Sequence, residues 1–217
     1  MPTDFRQSFI RFVVDQKVLY FGEFKTKAGR LSPYFFDSGL FCDGASLKEL
    51  SGFYAKAIMA AGIGYDMLFG PAYKGIPLVA SVAVALADAG RNVRYSFNRK
   101  EAKDHGEGGT VVGAKLSGRV LIVDDVISAG TSVRESVEII RAQGANPCGV
   151  VIALDRMEVG TGALSAVQEV NERYNIPVVA VATLDDLVKF LSNDPGMQKE
   201  LAAVAQYREK YGVKTNA

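Results

Sequence analysis

The segment from Arg119 to Glu135 constrains the fold of this chain more than any other segment does. It begins with Val120–Val123, a short aliphatic run that is typical of a strand buried on both faces of a parallel sheet. Two adjacent carboxylates, Asp124 and Asp125, follow where that strand should leave the core. Small and hydroxyl-bearing residues then precede hydrophobic residues at helical spacing. The segment therefore predicts the order strand, turn, helix, as in an α/β protein.

The turn and the helix start after the two aspartates predict a phosphate site. Unpaired backbone N–H groups and the positive end of the helix dipole attract an anion there. The hydroxyls of Ser128, Thr131 and Ser132 can add donors. Asp124 and Asp125 would repel a phosphate, so they require another partner: vicinal sugar hydroxyls, a divalent cation or a developing positive charge. A ribose 5-phosphate with a cation nearby fits both halves of the segment.

Other motifs fit this segment less well. The chain has no G-x-x-x-x-G-K-[ST] sequence, and no G-x-G-x-x-G follows a strand here. A Val-Leu-Ile-Val-Asp-Asp run also opens phosphorelay receiver domains, but there it lies at the start of the domain, with the phosphorylatable aspartate one strand later. For the segment taken alone, a purely structural βα unit whose aspartates only cap a helix stays an alternative.

The composition limits the class of protein. A chain of 217 residues, 48% of them hydrophobic, suits one medium-sized domain. The 25 basic and 24 acidic residues nearly balance, which argues against general electrostatic binding to nucleic acid or an anionic membrane. No apolar run reaches the roughly 20 residues of a membrane span, and the start lacks a signal-peptide pattern. We therefore expect a cytoplasmic protein. Cys42 and Cys148 share no metal-ligand spacing, and the lone His105 excludes a two-histidine zinc site.

Two further segments place charged residues where predicted strands end. The glycines of Gly70–Gly75 indicate a sharp turn whose N–H groups and Lys74 face an anion, although an ordinary βα loop is the alternative. Asp155 and Arg156 follow another predicted strand, and the planar guanidinium of Arg156 suits a carboxylate. The alternative for this pair is a salt bridge between Asp155 and a neighbour.

The segment Asn98–Gly113 differs in composition from the rest of the chain. Basic residues stand beside His105 and four glycines, and hydrophobic residues almost vanish. Because so little apolar surface could hold such a loop closed, we expect it to be mobile without a ligand and to be recruited by a polyanion. The pattern favours an active-site lid over a surface loop with scattered charge.

Periodicity and capping residues predict the remaining elements. Asp4 should cap a first helix, and Ser46–Glu49 should form a capping box that opens a second helix, which ends near Ala61. The adjacent rings of Phe35 and Phe36 should point to opposite sides of an extended chain, so at least one of them can face a flat heterocycle. The other predicted strands are Val18–Phe24, Tyr65–Phe69, Val93–Phe97, Cys148–Leu154 and Val178–Ala182, and the other predicted helices are Ile76–Ala89, Leu164–Tyr174, Leu184–Leu191 and Met197–Tyr211.

Several of these segments together resemble the type I phosphoribosyltransferases, and among them the bacterial orotate phosphoribosyltransferases. Val120–Ser132 is similar to the signature that binds phosphoribosyl pyrophosphate (PRPP) in this family, although Ser128 stands where threonine is frequent. The likeness extends from Phe12 to Gly212. Its other specific matches are Gly22–Phe24, Ser32–Phe36, Phe69–Gly75 and Phe97–Gly109.

The resemblance implies a fold. In the type I phosphoribosyltransferase fold, a central and mainly parallel sheet is flanked by helices. Residues 1–217 then form a single domain, in which residues 1–45 are a hood over the base site and residues 46–217 are the core, with a flexible catalytic loop. A cis peptide bond at Ala72–Tyr73 is also implied.

The resemblance also implies a reaction, which is the Mg²⁺-dependent transfer of ribose 5-phosphate from PRPP to orotate in pyrimidine biosynthesis. The Mg²⁺ is held mainly by PRPP near Asp124 and Asp125, with no side chain assigned as a direct ligand. The implied catalytic residues are Lys103, His105, Asp124 and Asp125. The implied PRPP-binding residues are Lys27, Tyr73, Lys74, Arg99, Lys100, Lys103, His105, Asp124, Asp125, Val126, Ile127, Ser128, Ala129, Gly130, Thr131 and Ser132. The implied orotate-binding residues are Phe35, Phe36, Ser128 and Arg156.

A homodimer is implied as well, in which Arg99, Lys100, Lys103 and His105 reach the neighbouring subunit's site. No nucleic-acid or membrane partner is expected. Two alternatives stay open: a phosphoribosyltransferase for a purine or uracil, and a non-catalytic sensor of PRPP. Such a sensor should carry a nucleic-acid surface, whereas this sequence has neither a basic stripe nor a helix-turn-helix extension.

Overall fold

The structure is a computed structural model that describes residues 4–26, 28–103, 109–127, 130–160 and 162–213, without the side chains of residues 102, 103 and 109. Five of the site residues inferred from sequence therefore lie wholly or by their side chains outside the described part: Lys27, Lys103, His105, Ser128 and Ala129.

The chain alternates strands and helices as the sequence pattern predicts. The strands are β1 (Leu19–Lys25), β2 (Leu31–Phe36), β3 (Met67–Gly70), β4 (Arg94–Lys103), β5 (Gly109–Gly113), β6 (Arg119–Val123), β7 (Asn146–Asp155) and β8 (Val178–Thr183). The helices are α1 (Phe5–Asp15), α2 (Gly44–Ala61), α3 (Gly75–Asp88), α4 (Thr131–Ala142), α5 (Ala166–Tyr174), α6 (Leu184–Ser192) and α7 (Gln198–Tyr211).

A six-stranded sheet in the order β5-β4-β3-β6-β7-β8 forms the centre. Its strands are parallel except for β5, which pairs antiparallel with β4 at one edge. The central strand β6 is almost fully buried from Val120 to Val123. Its alternate residues enter two separate cores: Leu121 and Val123 pack on one face, and Val120 and Ile122 pack on the other. The predicted α/β fold with a mainly parallel sheet is confirmed.

The strands β1 and β2 form a separate antiparallel hairpin. Tyr34 and Phe36 face the main core and are buried, whereas Phe35 faces the other way, is 37% exposed and packs on Tyr20 and Phe24. The prediction that Phe35 and Phe36 point to opposite sides is therefore confirmed. A short 3-10 turn, Ser38–Leu40, follows the hairpin and returns the chain to the sheet.

Two predictions about local structure are wrong. The second helix does not begin with a capping box at Ser46–Glu49, because the side chain of Asp43 already accepts from the N–H groups of Ala45 and Ser46 and so begins α2 at Gly44. The predicted loop does not begin at Asn98, since β4 continues to Lys103 and pairs with β5. Backbone pairing in an antiparallel hairpin does not require apolar side chains, so composition concealed these strands.

Other local predictions are confirmed. The carboxylate of Asp4 accepts from the N–H of Arg6 at the start of α1. The segment Arg119–Glu135 contains strand, turn and helix in that order, and the peptide bond Ala72–Tyr73 is cis. In the described part of the chain, no helix has both the length and the apolar character that a membrane span requires.

Candidate active site

Asp124 lies where β6 ends, and the chain itself binds both of its carboxylate oxygens. Oδ1 accepts from the N–H of Asp125 at 2.9 Å, and Oδ2 accepts from the hydroxyl of Ser132 at 2.8 Å. The hydroxyl of Tyr54 donates to the backbone carbonyl of Asp124 at 2.8 Å. Burial first, and the neighbouring Asp125 second, raise the pKa of Asp124 to about 6. Asp124 is therefore a fixed carboxyl group that titrates close to neutral pH.

Asp125 is only half-buried and joins three parts of the fold. Its Oδ1 accepts from the N–H of Val126 at 2.8 Å, while its Oδ2 accepts from the hydroxyl of Ser38. The ammonium of Lys74 lies 3.3 Å from the same Oδ2 and donates to the Ser38 hydroxyl at 2.9 Å. The hairpin side, the start of α3 and the end of β6 thus meet at one carboxylate oxygen.

The loop between β3 and α3 presents Lys74 because the chain turns there without side chains. A Cβ on Gly70 would overlap the backbone oxygen of Gly75, and a Cβ on Gly75 would lie 2.7 Å from the ring of Pro71. The buried side chain of Asn98 accepts from the N–H of Ala72 at 2.8 Å, which ties the loop to β4. Tyr73 is 70% exposed beside it. The loop is therefore held in place from beneath and open to a ligand above.

The start of α4 has the features of an anion site. Gly130, with φ of 67°, precedes the helix and provides no side-chain cap. The first intrahelical hydrogen bond runs from Arg134 N–H to the Gly130 carbonyl, so the amides of residues 131–133 precede it. Thr131 is exposed there, whereas the one O–H of Ser132 is donated to Asp124. The backbone amides and Thr131 are thus the donors that this turn can offer, while Val126 and Ile127 lie half-buried before it.

Arg156 follows the last residue of β7 and is held by several contacts. Its Nε donates to Glu158 at 2.7 Å, and its Nη2 donates to the hydroxyl of Ser32 at 2.9 Å. Its guanidinium carbon lies 4.3 Å from the centre of the Tyr34 ring. The N–H of Ala153 donates to the carbonyl of Asp125 at 2.8 Å. Because Arg156 stands three residues beyond Ala153, the rise of a strand places it about 10 Å from the acid pair.

Two cations of β4 lie near the same edge. The ammonium of Lys100 is 3.7 Å from the carboxylate of Glu135 on α4. Among the described residues, the buried Nη1 of Arg99 has no hydrogen-bond partner. A buried donor of a charged group without a partner is unfavourable, so this guanidinium is suited to an anion that arrives from outside.

The structure thus brings Lys74, Asp124 and Asp125 together with the start of α4, and it places Arg156 along the same sheet edge. Phe36 is 9% exposed and belongs to the core, while Phe35 lies on the outer face of the hairpin. Sequence reasoning missed four residues that hold these groups in place: Ser38, Tyr54, Asn98 and Glu158. Each is polar and acts across a long sequence separation, except Glu158, which no motif singled out.

Comparisons with known proteins agree with this geometry. Residues 43–183 match the family described as the phosphoribosyl transferase domain. An orotate phosphoribosyltransferase of Thiobacillus denitrificans is 70% identical over 211 residues, covering 97% of this chain and 100% of that protein. One from Chromobacterium violaceum is 67% identical, over 97% of this chain and 99% of that protein. The crystal structure of the Francisella tularensis orotate phosphoribosyltransferase superposes with a TM-score of 0.85 at 41% identity, covering 94% of this chain and 99% of that one.

Proposed function

The chain belongs to the orotate phosphoribosyltransferases, a branch of the phosphoribosyl transferase family, and we propose on this premise how its site works. The reaction transfers ribose 5-phosphate from PRPP to a ring nitrogen of orotate, and it yields orotidine 5′-phosphate and pyrophosphate in pyrimidine biosynthesis. One observation carries the assignment to this site: an acid pair, a helix start without a side-chain cap and Lys74 meet at the edge that also carries Arg156.

In this proposal the 5′-phosphate binds at the start of α4. The amides of residues 131–133 and the hydroxyl of Thr131 donate to it, together with Ser128 and Ala129 of the preceding turn. Asp125 then faces the ribose hydroxyls, because a sugar hydroxyl can replace the Ser38 hydroxyl on Oδ2. Asp124 acts from behind, as a buried carboxylate whose negative charge favours the positive charge that develops on the ribose ring.

Cations bind the pyrophosphate end. Lys74 leaves Asp125 for the leaving group, and Lys27, Tyr73, Arg99 and Lys100 add donors around it. Lys103 and His105 act on the oxygen that departs, as proton donor or charge stabiliser. Support comes from the exposed position of Lys74 and from the Nη1 of Arg99, which has no partner within the described residues.

Orotate binds between the acid pair and Arg156. The hairpin covers this interval, since Ser32 contacts Arg156 at one end and Ser38 contacts Asp125 at the other. Phe35 and Phe36 lie between these two contact points, and Ser128 borders the ring from the turn. Arg156 donates to the carboxylate of orotate, a group that adenine, hypoxanthine and uracil lack.

Magnesium fits this site through its ligand and not through a cage of side chains. Within the described residues, no group of three or more histidine, cysteine, aspartate or glutamate side chains is placed to hold a metal ion. Both oxygens of Asp124 already accept hydrogen bonds. Such a donor set suits Mg²⁺ that is coordinated mainly by PRPP oxygens, near Asp124 and Asp125. When bound, the ion supplies positive charge against the departing pyrophosphate.

The working enzyme in this proposal is a homodimer, in which Arg99, Lys100, Lys103 and His105 of one subunit serve the neighbouring site. Mixing two inactive variants, Lys103→Ala and Asp125→Asn, tests this arrangement. If the loop acts across subunits, random exchange of subunits at equal amounts leaves about a quarter of the sites with neither change, and activity returns to that level. If the loop acts within its own subunit, every site keeps one change and no activity returns.

A spectrophotometric assay tests the function. Orotate absorbance should decrease with PRPP and Mg²⁺ present and stay constant when either is omitted, and pyrophosphate should be released in equal amount. Adenine, hypoxanthine and uracil serve as competing acceptors. Turnover of one of these bases in preference to orotate would favour a different phosphoribosyltransferase, and binding of PRPP without any pyrophosphate release would favour a sensor.

A further inference from the structure

The guanidinium of Arg156 has most of its hydrogen-bond donors occupied by its own chain. Of its five N–H groups, Nε–H and one on Nη2 contact the same Glu158 oxygen, at 2.7 and 2.6 Å. The second N–H of Nη2 goes to the hydroxyl of Ser32 at 2.9 Å. Within the described residues, Nη1 makes no hydrogen bond. One edge of the guanidinium is therefore in use, and the Nη1 edge is the one left for a ligand.

The plane of the guanidinium is fixed as well. The ring of Tyr34, which is completely buried, lies 4.3 Å from the guanidinium carbon. The buried hydroxyls of Tyr34 and Tyr207 have no hydrogen-bond partner within the described residues. Burial raises the pKa of both tyrosines, so both hydroxyls stay neutral beside the ion pair. The ring sets the plane of Arg156, and Glu158 sets its rotation within that plane.

Glu158 is itself held in place from both sides. Its side chain is 16% exposed, and its Oε2 lies 4.0 Å from Nη1 of Arg30. Arg30 in turn donates to the carbonyls of Val159 and Gly160, at 2.8 and 3.1 Å. The backbone of Glu158 bridges to Gly212 near the end of α7. The two arginines and one glutamate leave a net charge of +1, so the cluster stays attractive to an anion.

We propose that Glu158 is a positioning residue that turns the Nη1 edge of Arg156 towards the carboxylate of orotate. This inference rests on the proposed function, because it concerns the same base site. A guanidinium that lost Glu158 would keep Tyr34 beneath it but could rotate in its plane, and its donors would no longer converge on one position. Orotate would then lose the hydrogen bonds that distinguish it from a base without a carboxylate.

A simpler role for Glu158 makes the opposite prediction. If Glu158 only offset the charge of Arg156, it would compete with the ligand's carboxylate, and its removal would strengthen binding. If Glu158 orients Arg156, its removal weakens binding of the carboxylate ligand alone. The sign of the effect therefore separates orientation from competition.

The experiment compares two nucleotides that differ by one carboxylate, orotidine 5′-phosphate and uridine 5′-phosphate, by calorimetry with Mg²⁺ present. In Glu158→Ala we expect the ratio of their dissociation constants to fall about tenfold, while uridine 5′-phosphate binds within about twofold of wild type. Glu158→Gln keeps an acceptor for Nε and Nη2 and should restore most of the ratio. Glu172→Gln, an exposed change on α5, is the matched control and should leave the ratio unaltered.

The outcomes are distinct. A wild-type ratio in Glu158→Ala, or a larger one, would overturn the positioning role while leaving the proposed function intact. Failure of the wild-type protein to prefer orotidine 5′-phosphate, or to consume orotate, would instead overturn the proposed function. A dissociation constant does not depend on the fraction of folded protein, and a thermal melt of each variant confirms that it is folded at the temperature of the titration.

Discussion

The ends of β6 and β7 are neighbours in one sheet, yet they hold opposite charges by different means. At the end of β6, Asp124 and Asp125 are bound largely by groups close in sequence, such as their own amides and Ser132. At the end of β7, Arg156 is bound by Ser32 and stacked on Tyr34, more than a hundred residues earlier in the chain. The comparison teaches that a phosphate-sugar site can be encoded in one segment, whereas base recognition requires the hairpin to fold onto the sheet.

Removing the charge of Asp125 should have the largest effect on this contrast. We expect Asp125→Asn to lower kcat/KM for PRPP by about 100- to 1,000-fold, because a neutral amide no longer favours the positive charge that develops on the ribose. Steady-state kinetics with varied PRPP measure the effect. Asp66→Asn is the matched control, since Asp66 pairs with Arg119 at the opposite end of β6 and should not alter turnover. A decrease of less than about fivefold in Asp125→Asn would contradict the role of the acid pair.

Arg156 should affect the other substrate. We expect Arg156→Lys to raise KM for orotate by about 10- to 100-fold, because an ammonium cannot keep the contacts to Glu158 and Ser32 and also offer an oriented donor pair. KM for PRPP should stay within about twofold. Initial rates with each substrate varied in turn separate the two constants. Equal changes in both constants would show that the two ends of the site are not independent.

The buried acid should reduce stability where the paired acid increases it. The pKa of Asp124 rises from its ordinary value of 3.8 to about 6, so its contribution to stability is full below pH 4 and is lost as the pH rises through 6. Asp124→Asn should therefore unfold at higher denaturant than wild type above pH 6, by up to roughly 3 kcal/mol, with a difference that shrinks towards pH 4.

Asp66 gives the control of opposite sign. Hydrogen bonds from Arg119 lower the pKa of Asp66, so its contribution to stability is present above pH 4 and is lost as the pH falls through the lowered value. Asp66→Asn should destabilise the protein at neutral pH. If urea titrations at pH 4 and pH 7 gave the same sign for both variants, burial would not be the cause of the shift at Asp124.

The smallest effect concerns the hydroxyl of Tyr54 beneath the acid pair. Tyr54→Phe leaves the carbonyl of Asp124 without this donor, and we expect a loss of about 1–2 kcal/mol in the free energy of unfolding. Urea unfolding at pH 7 measures it. Tyr95→Phe, on a residue that is 37% exposed, should change stability by less than about 0.5 kcal/mol. Equal effects of the two changes would remove any special role of the buried hydroxyl.

Local patterns in the sequence predicted most of the fold and one half of the site. The run Val120–Val123, followed by two acids and a turn, predicted β6 and α4 because a βα unit is encoded by neighbouring residues. The ends of the β4–β5 hairpin were missed, since pairing of backbone groups leaves no trace in polar composition. Ser38 and Glu158 were missed because their partners are set by tertiary packing, which a single sequence does not show.

The contact of Ser38 and Lys74 with one oxygen of Asp125 has a consequence for how the site fills. The empty site already satisfies its acid with a hydroxyl and an ammonium from its own chain, the same two kinds of group that a sugar and a cation would bring. Entry of the donor is thus an exchange of partners and not a simple addition. Its affinity reports the difference between two similar sets of contacts, and that difference should be small while selectivity for the right hydroxyl geometry is high.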